Sequence, residues 1–391
     1  MIFELTDQQR LVKDSVDRLM SDRYTFEARE TIRKGTENWS RERWKDYAGL
    51  GLLALRVDEA DGGFGCGPFD TMIVMEAFGR ALALEPYVST VLLGAGLIRL
   101  AANAEQRARL LPPLCEGRLL LAFAHSEEQS GNDLRHVAAT AAPAEGGFVL
   151  NGKKTLVLHG DSADYLIVSA RSSGATLDPS GIGLFLVAAE ASGLSRRSYR
   201  MIDGQRAADI ELNGVRVSPD NVIDASGQSL PIIQQVVEET IAALAAEAVG
   251  VMDEMLRLTS DYLRVRKQFG VEIASFQAIQ HRLADMFIAL EQARSMAMFA
   301  ANACQSDDAS HRSTCIAAAK VQISRSIRFV SQQAIQLHGG IGMTMEYKIG
   351  HLFQRATMID TLFGNGDHHL SRLAAGSGLF AALDGCASDS R

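Results

Sequence analysis

The hydrophobic period of this chain changes twice, and that double change constrains the fold more than any single motif. Up to about residue 118, apolar side chains recur at helical spacing, as in Leu11, Val12, Val16 and Leu19 and again in Met72, Met75, Phe78 and Leu82. The glycine-rich turn Asp61-Gly62-Gly63-Phe64-Gly65 interrupts that block. Between about 119 and 230 the pattern shortens to strand-like runs, among them Phe148-Val149-Leu150, Leu156-Val157-Leu158, Tyr165-Leu166-Ile167-Val168 and Asp209-Ile210-Glu211-Leu212, with Gly, Asn and Asp turns between them. From Pro231 onward long helical stretches rich in Ala, Met, Gln and Leu return, in the manner of an antiparallel bundle. The expectation is an α+β chain in three parts: an α-helical domain over 1–118, a β domain over 119–230 and an α-helical bundle over 231–391.

With 391 residues and 47% hydrophobic content, the chain can bury large cores. A net charge of -8 leaves no general basic surface for a nucleic-acid backbone or an anionic membrane, so any phosphate site must be local. Cys66, Cys115, Cys304, Cys315 and Cys386 show neither metal-ligand nor disulfide-framework spacing, and their odd number suits reduced thiols in a cytosol. The first helix is expected to begin near Thr6, with Gln9 completing a capping box. Its charged, amphipathic character differs from a signal peptide. No apolar run is long enough to span a bilayer, and a cytoplasmic protein is expected.

Two segments point to a dinucleotide's phosphates. Arg266-Lys267-Gln268-Phe269-Gly270 is followed about seventy residues later by Gln336-Leu337-His338-Gly339-Gly340-Ile341-Gly342. A guanidinium offers phosphate oxygens a planar fork of donors, and consecutive glycines let backbone N–H groups approach an anion with no Cβ in the way. Each half also has a plain reading, as a helix stop and as a solvated cation.

In this order, within a helix-rich half, the two segments resemble the C-terminal domain of the acyl-CoA dehydrogenase family of flavoproteins. Leu50-Gly51-Leu52-Leu53 leading to Asp61-Gly62-Gly63-Phe64-Gly65 resembles the family's N-terminal signature, and Asn151-Gly152-Lys153-Lys154 its central β-turn. The likeness covers nearly the whole chain, and within the family the sequence resembles small subunits of two-subunit dehydrogenases for dicarboxylyl-CoA thioesters. It implies FAD-dependent α,β-desaturation of an acyl-CoA: a base takes the α-proton of the thioester while a hydride leaves the β-carbon for the flavin. It also implies that the FAD lies across a subunit boundary, its ring on one chain and its ADP half reaching the neighbour. The neighbour would be a homologous large subunit or another copy in a dimer of dimers, with electron-transfer flavoprotein as the acceptor. On the ADP side, Arg266, Gln268 and Phe269 would meet the pyrophosphate and adenine region, with Gln336, Gly339 and Gly340 closing around it.

The ring side departs from the family. Where most members have Thr-Glu-Pro…Gly-Ser-Asp, this chain has Ser126-Glu127-Glu128-Gln129-Ser130-Gly131-Asn132-Asp133, and Ser126 keeps a hydroxyl. Where Trp-Ile-Thr is common, it has Leu156-Val157-Leu158, without the stacking aromatic and the donor. Counted from Arg355, the place of the catalytic glutamate falls on Gly364.

Some relatives place their base on the first helix of the C-terminal domain, a register that falls on Thr240 beside Glu239. Independently, a wheel of residues 231–258 at about 100° per residue aligns Ile233, Val237, Thr240, Leu244, Glu247, Val251 and Leu258 on one stripe. Glu247 there is either a base with a raised pKa or a partner in a buried ion pair. Glu239, on the flank, reads as a solvated acid unless it serves as base.

Other polar residues carry plainer expectations. His338 should satisfy a helix-end carbonyl or approach the phosphates. His368 and His369 are adjacent on a helix and poorly placed to share a metal, so no metal site is expected. Met296, Met298, Met343 and Met345 read as core filler. Arg196 and Arg197 read as a loop that either meets CoA phosphates or stays solvated. Three functional readings follow: a competent dehydrogenase with Glu247 or Glu239 as base, a supporting partner that lends its ADP half-site, or a flavin oxidase or monooxygenase on the same fold.

Overall fold

The computed structural model describes residues 5–376, and Cys386 lies outside them. The order of element types is helices, strands, helices. Six helices come first: α1 (Asp7–Arg23), α2 (Phe26–Lys34), α3 (Arg41–Gly49), α4 (Pro68–Ala81), α5 (Gly96–Ala101) and α6 (Ala104–Cys115). Eight strands follow: β1 (Leu121–Ala124), β2 (Thr140–Ala144), β3 (Gly147–Leu158), β4 (Tyr165–Arg171), β5 (Ile182–Ala188), β6 (Leu194–Arg200), β7 (Arg206–Val217) and β8 (Val222–Asp224). Helix α7 (Leu230–Val265) leads through the short hairpin β9 (Lys267–Gln268) and β10 (Val271–Glu272) to α8 (Gln277–Ala303), α9 (Ala309–His338), α10 (Lys348–Thr361) and α11 (Gly366–Gly376). No described helix is long and apolar enough to cross a membrane.

Local chemistry sets several of these boundaries. Thr6 and Gln9 form the expected capping box, each side chain accepting from the other's backbone N–H, at 3.2 and 3.1 Å. Asn103 and Gln106 repeat the device at the start of α6. The strands form one sheet in the order β6-β7-β3-β2-β4-β5-β8, with β1 parallel to β4. Inward residues such as Leu150, Leu166, Val168, Phe185 and Ile210 form its core.

Packing gathers the elements into two compact units. One holds α2, α3, α5, α6 and the sheet, within Ser21–Asp70 and Ala83–Thr240. The other joins Thr71–Leu82 and the described residues up to Met20 to the helices from Ile241 onward. Within the second unit α4 and α7 cross with backbones in contact. A Cβ on Gly79 would lie 2.1 Å from the Glu247 carbonyl oxygen, and one on Gly250 would lie 2.0 Å from that of Glu76. Only hydrogen fits at either place, because the obstacle is backbone and cannot swing aside. Gly250→Ala should therefore destabilise the fold by about 1–3 kcal/mol, the usual cost of overpacking, as read from a denaturant melt. An unchanged midpoint would contradict the crossing.

Candidate functional site

The first candidate surface lies at the C-terminal end of α7. Phe269 and Gly270 turn the β9–β10 hairpin with φ 55° and 81°, the positive pair that a two-residue turn with primed geometry requires. That turn leaves Phe269 92% exposed, with Arg266 and Gln268 also facing solvent. Among the described residues, Arg266 pairs with no acid.

The second motif reaches the same surface from α9. The helix stops at Gly339, whose φ of 64° and ψ of -139° suit glycine alone. A Cβ on Gly339 or Gly340 would meet nothing within 4 Å, so their backbone is open, and Gln336 beside them is exposed. The rings of Tyr262 and His338 stack at 4.7 Å, joining the last turns of α7 and α9. Arg266 donates its backbone N–H to the Tyr262 carbonyl, and Gly339 follows His338 directly. The structure thus brings the two motifs together. An uncommitted guanidinium, an exposed aromatic ring and open glycine backbone fit the diphosphate and adenine of a dinucleotide. His338 does what a helix-end histidine was expected to do, its Nδ1 donating to the Ala334 carbonyl at 2.8 Å.

The second candidate surface is a cleft of about 610 Å³ on the sheet, bordered by Glu127, Gly152, Lys153, Thr155, Arg197 and Asp209. It brings the segment after Ser126 beside the Asn151–Lys154 turn. Beneath it lies a buried network. Lys154 Nζ donates to Glu127 Oε1 (2.8 Å), the His125 carbonyl (3.0 Å) and Ser169 Oγ (3.2 Å). Glu127 also accepts the N–H groups of Ala138 and Ala139. Burial raises the Glu127 carboxyl, but Lys154 and these amides outweigh it and hold it below the usual range. Burial pushes the Lys154 ammonium down to about 8 against the pull of Glu127. Above the network Thr155 N–H donates to the Ser126 carbonyl at 2.8 Å. A bulge in β3 then sets Leu156 at φ 52° and 41% exposed.

The two candidate bases are both engaged. Glu247 faces Arg355 in a two-point pair, Oε1 to Nε at 2.6 Å and Oε2 to Nη2 at 2.7 Å, with both side chains under 5% exposed. The ion-pair reading of Glu247 therefore holds. Glu239 is not a solvated acid: Arg56 and Arg99 reach it at 2.9 and 3.0 Å, and its side chain is 14% exposed. Thr240 is fully buried, its hydroxyl donating to the Val236 carbonyl.

The turn between α10 and α11 is tight at Gly364, the position on which the family resemblance places the glutamate. Gly364 has φ 96°, and a Cβ there would sit 2.5 Å from His368 Cδ2 and 3.1 Å from His369 Nε2. Buried groups pin this turn from below. Lys320 Nζ donates to the Ile359 and Leu362 carbonyls, and His369 Nε2 donates to the Phe363 carbonyl at 3.0 Å. Burial, reinforced by the Lys320 charge, pushes His369 down to about 4. Among the described residues no group of acids, histidines or cysteines is placed to hold a metal.

Two minor expectations are corrected. Arg196 and Arg197 lie on strand β6, not in a loop. Arg196 donates to the carbonyls of Gly160, Asp161 and Ala163, and Arg197 pairs with Asp209 at 2.6 Å. Met343 and Met345 are 75% and 42% exposed, and Met296 and Met298 only partly buried, so none is simple core filler.

Comparison with known proteins covers almost the whole chain. Residues 6–118, 122–215 and 230–378 match the descriptions "Acyl-CoA dehydrogenase, N-terminal domain", "middle domain" and "C-terminal domain". The mitochondrial isovaleryl-CoA dehydrogenase of Solanum tuberosum is 29% identical over 380 residues, 96% of this chain and 91% of that protein. Among solved structures, the Tcur3481-Tcur3483 steroid ACAD superposes with a TM-score of 0.85 at 29% identity, covering 96% of this chain and 99% of that one. The FAD complex of PigA superposes with 0.88 at 27% identity, covering 97% and 100%.

The pinned turn carries a pH signature. A histidine titrating near 6.5 when unfolded and about 4 when folded binds a proton first in the unfolded chain. Its contribution to stability is complete above about pH 6.5 and is lost as the pH falls toward 4, a direction that buried His125, pushed down to about 3, shares. The denaturant midpoint should fall between about pH 7.5 and about pH 5, and fall less in His369→Gln. Equal falls in both proteins would contradict the assignment.

Proposed function

The chain belongs to the acyl-CoA dehydrogenase family, and from that premise we propose that it is the supporting small subunit of a heteromeric FAD-dependent enzyme that desaturates an acyl-CoA thioester. The family's enzymes are oxidoreductases acting on CH–CH bonds with flavin. FAD, when bound, supplies the hydride acceptor. What this chain's residues contribute is unequal on the two sides of a shared site. Arg266, Gln268, Phe269, Gln336, Gly339 and Gly340 offer the ADP half an uncommitted and open surface.

Gly364 carries the reading. A base must stand within hydrogen-bond reach of the α-carbon, and at this turn glycine stands with φ 96° where any side chain would have to push the His368 ring aside. Neither Glu247 nor Glu239 is free to replace it. Releasing Glu247 from Arg355 would strand a buried charge, at about 3–5 kcal/mol. Glu239 is already engaged by the guanidiniums of Arg56 and Arg99. The glutamate must then come from a homologous large subunit that borrows this chain's ADP side.

Two further observations support a partner. Val265, Phe269 and Met343 are each at least 75% exposed around the ADP side, apolar surface of the kind that another chain covers. The steroid ACAD among the similar structures is itself named for two components. Likeness to the small subunit of pimeloyl-CoA dehydrogenase makes a dicarboxylyl-CoA the first substrate to try, and the steroid relative a bulky one the second. Electron-transfer flavoprotein is the acceptor in this reading. The intact frame beneath Ser126 favours one other possibility, a flavin oxidase or monooxygenase, whose reduced form would recolour rapidly in air without any acyl-CoA.

The chain purified alone should hold substoichiometric FAD and form little enoyl-CoA, and co-expression with a homologous partner should restore both. Full FAD occupancy with turnover by the lone chain would overturn the supporting role. In the assembled protein Arg266→Ala should weaken FAD retention by about 2 kcal/mol, the value of a charge-assisted pair. Retention equal to the parent's would remove Arg266 from the phosphate site.

A further inference from the structure

The ADP half-site joins two helix ends that are remote in sequence, and three aromatic rings meet where they join. His338 is 3% exposed and stacks on Tyr262 of α7 at 4.7 Å and 23°. Its other neighbour is Tyr347, the residue before α10, at 5.3 Å and 47°. The imidazole cannot rotate freely, because its Nδ1 is held by the Ala334 carbonyl of its own helix. Around the rings the backbone is drawn in tightly. A Cβ on Gly342 would lie 3.0 Å from His338 Cβ, so the turn after Gly339 folds back over the histidine. The start of α10 is fastened to α7 by Lys348 on Glu254 at 2.7 Å.

None of these rings belongs to the surface offered to the phosphates, yet two of the three stand about one helical turn or less from a residue that does. Tyr262 precedes Arg266 by four positions, and His338 precedes Gly339. We propose that His338, flanked by Tyr262 and Tyr347, is the positioning residue of the ADP half-site, fixing the separation between the Arg266 guanidinium and the open Gly339–Gly340 backbone. This rests on the ADP-side reading given above. Preset spacing matters because a diphosphate is gripped by both ends together, and a loose pair must be ordered on binding at the expense of affinity.

A positioning residue acts only through the group it positions, and a double-mutant cycle detects this. FAD affinity of the assembled protein would be measured by calorimetry for Arg266→Ala, Tyr262→Leu, His338→Leu and each pair with Arg266→Ala, with thermal midpoints recorded alongside. Tyr262→Leu and His338→Leu should each weaken FAD by about tenfold, and each should add almost nothing once Arg266 is alanine. Fully additive losses, or unchanged affinity in the single variants while Arg266→Ala binds weakly, would overturn the clamp and leave the ADP half-site standing. Unchanged affinity in Arg266→Ala would remove the half-site, and the clamp with it. His338→Phe, which retains a flat ring, should recover most of the loss if stacking sets the spacing.

Discussion

The ion pair between Glu247 and Arg355 governs the arrangement of the C-terminal helices. Both groups are withdrawn from water, where a lone carboxylate or guanidinium would be prohibitive, so the pair persists only while both contacts are made. That requirement fixes α10 against α7 at one axial position. Helix α7 runs on from Glu247 to Val265, next to Arg266, and α10 runs from Lys348, next to Tyr347, to Thr361, shortly before the turn at Gly364. One interaction therefore sets both ends of the functional surface, and it consumes the acid that would otherwise be the strongest candidate for a base. The glycine crossing at Gly79 and Gly250 brings the α4 backbone against α7 at Glu247 itself, whose side chain and that of Arg355 are both buried.

Most of the fold was legible because it follows local periodicity. The change from helical to strand spacing, the capping box at Thr6 and Gln9 and the apolar stripe holding Glu247 are all short-range patterns, and each is found in the structure. What escaped depends on residues distant in sequence. Glu239 read as solvated because nothing local announces that Arg56 and Arg99 will converge on it. Strand β6 was missed because Leu194–Arg200 lacks apolar alternation, pairing along the sheet by its backbone while its arginines bond outward. At the ADP side the motifs were legible residue by residue, whereas the Tyr262–His338 contact that unites them was not. A carboxylate's absence at Gly364 was visible in the sequence, but that a side chain there would press on the His368 ring was visible only in the structure.

The ring side is less degraded than its sequence suggests. Lys154, Glu127, His125 and Ser169 form a continuous buried frame, and Leu156 is held in a left-handed conformation that an unconstrained strand would abandon. In the proposed reading Leu156 would stand at the flavin ring above a frame whose polar groups are mutually hydrogen-bonded.

The inequality between the two sides is tested most directly by counting flavins in the assembled protein. Denatured extracts of the purified complex, with flavin absorbance referred to the quantity of each chain, should give one FAD for each pair of chains. Each such flavin would lie between the partner's ring pocket and this chain's ADP surface. One FAD for every chain, this one included, would contradict the account.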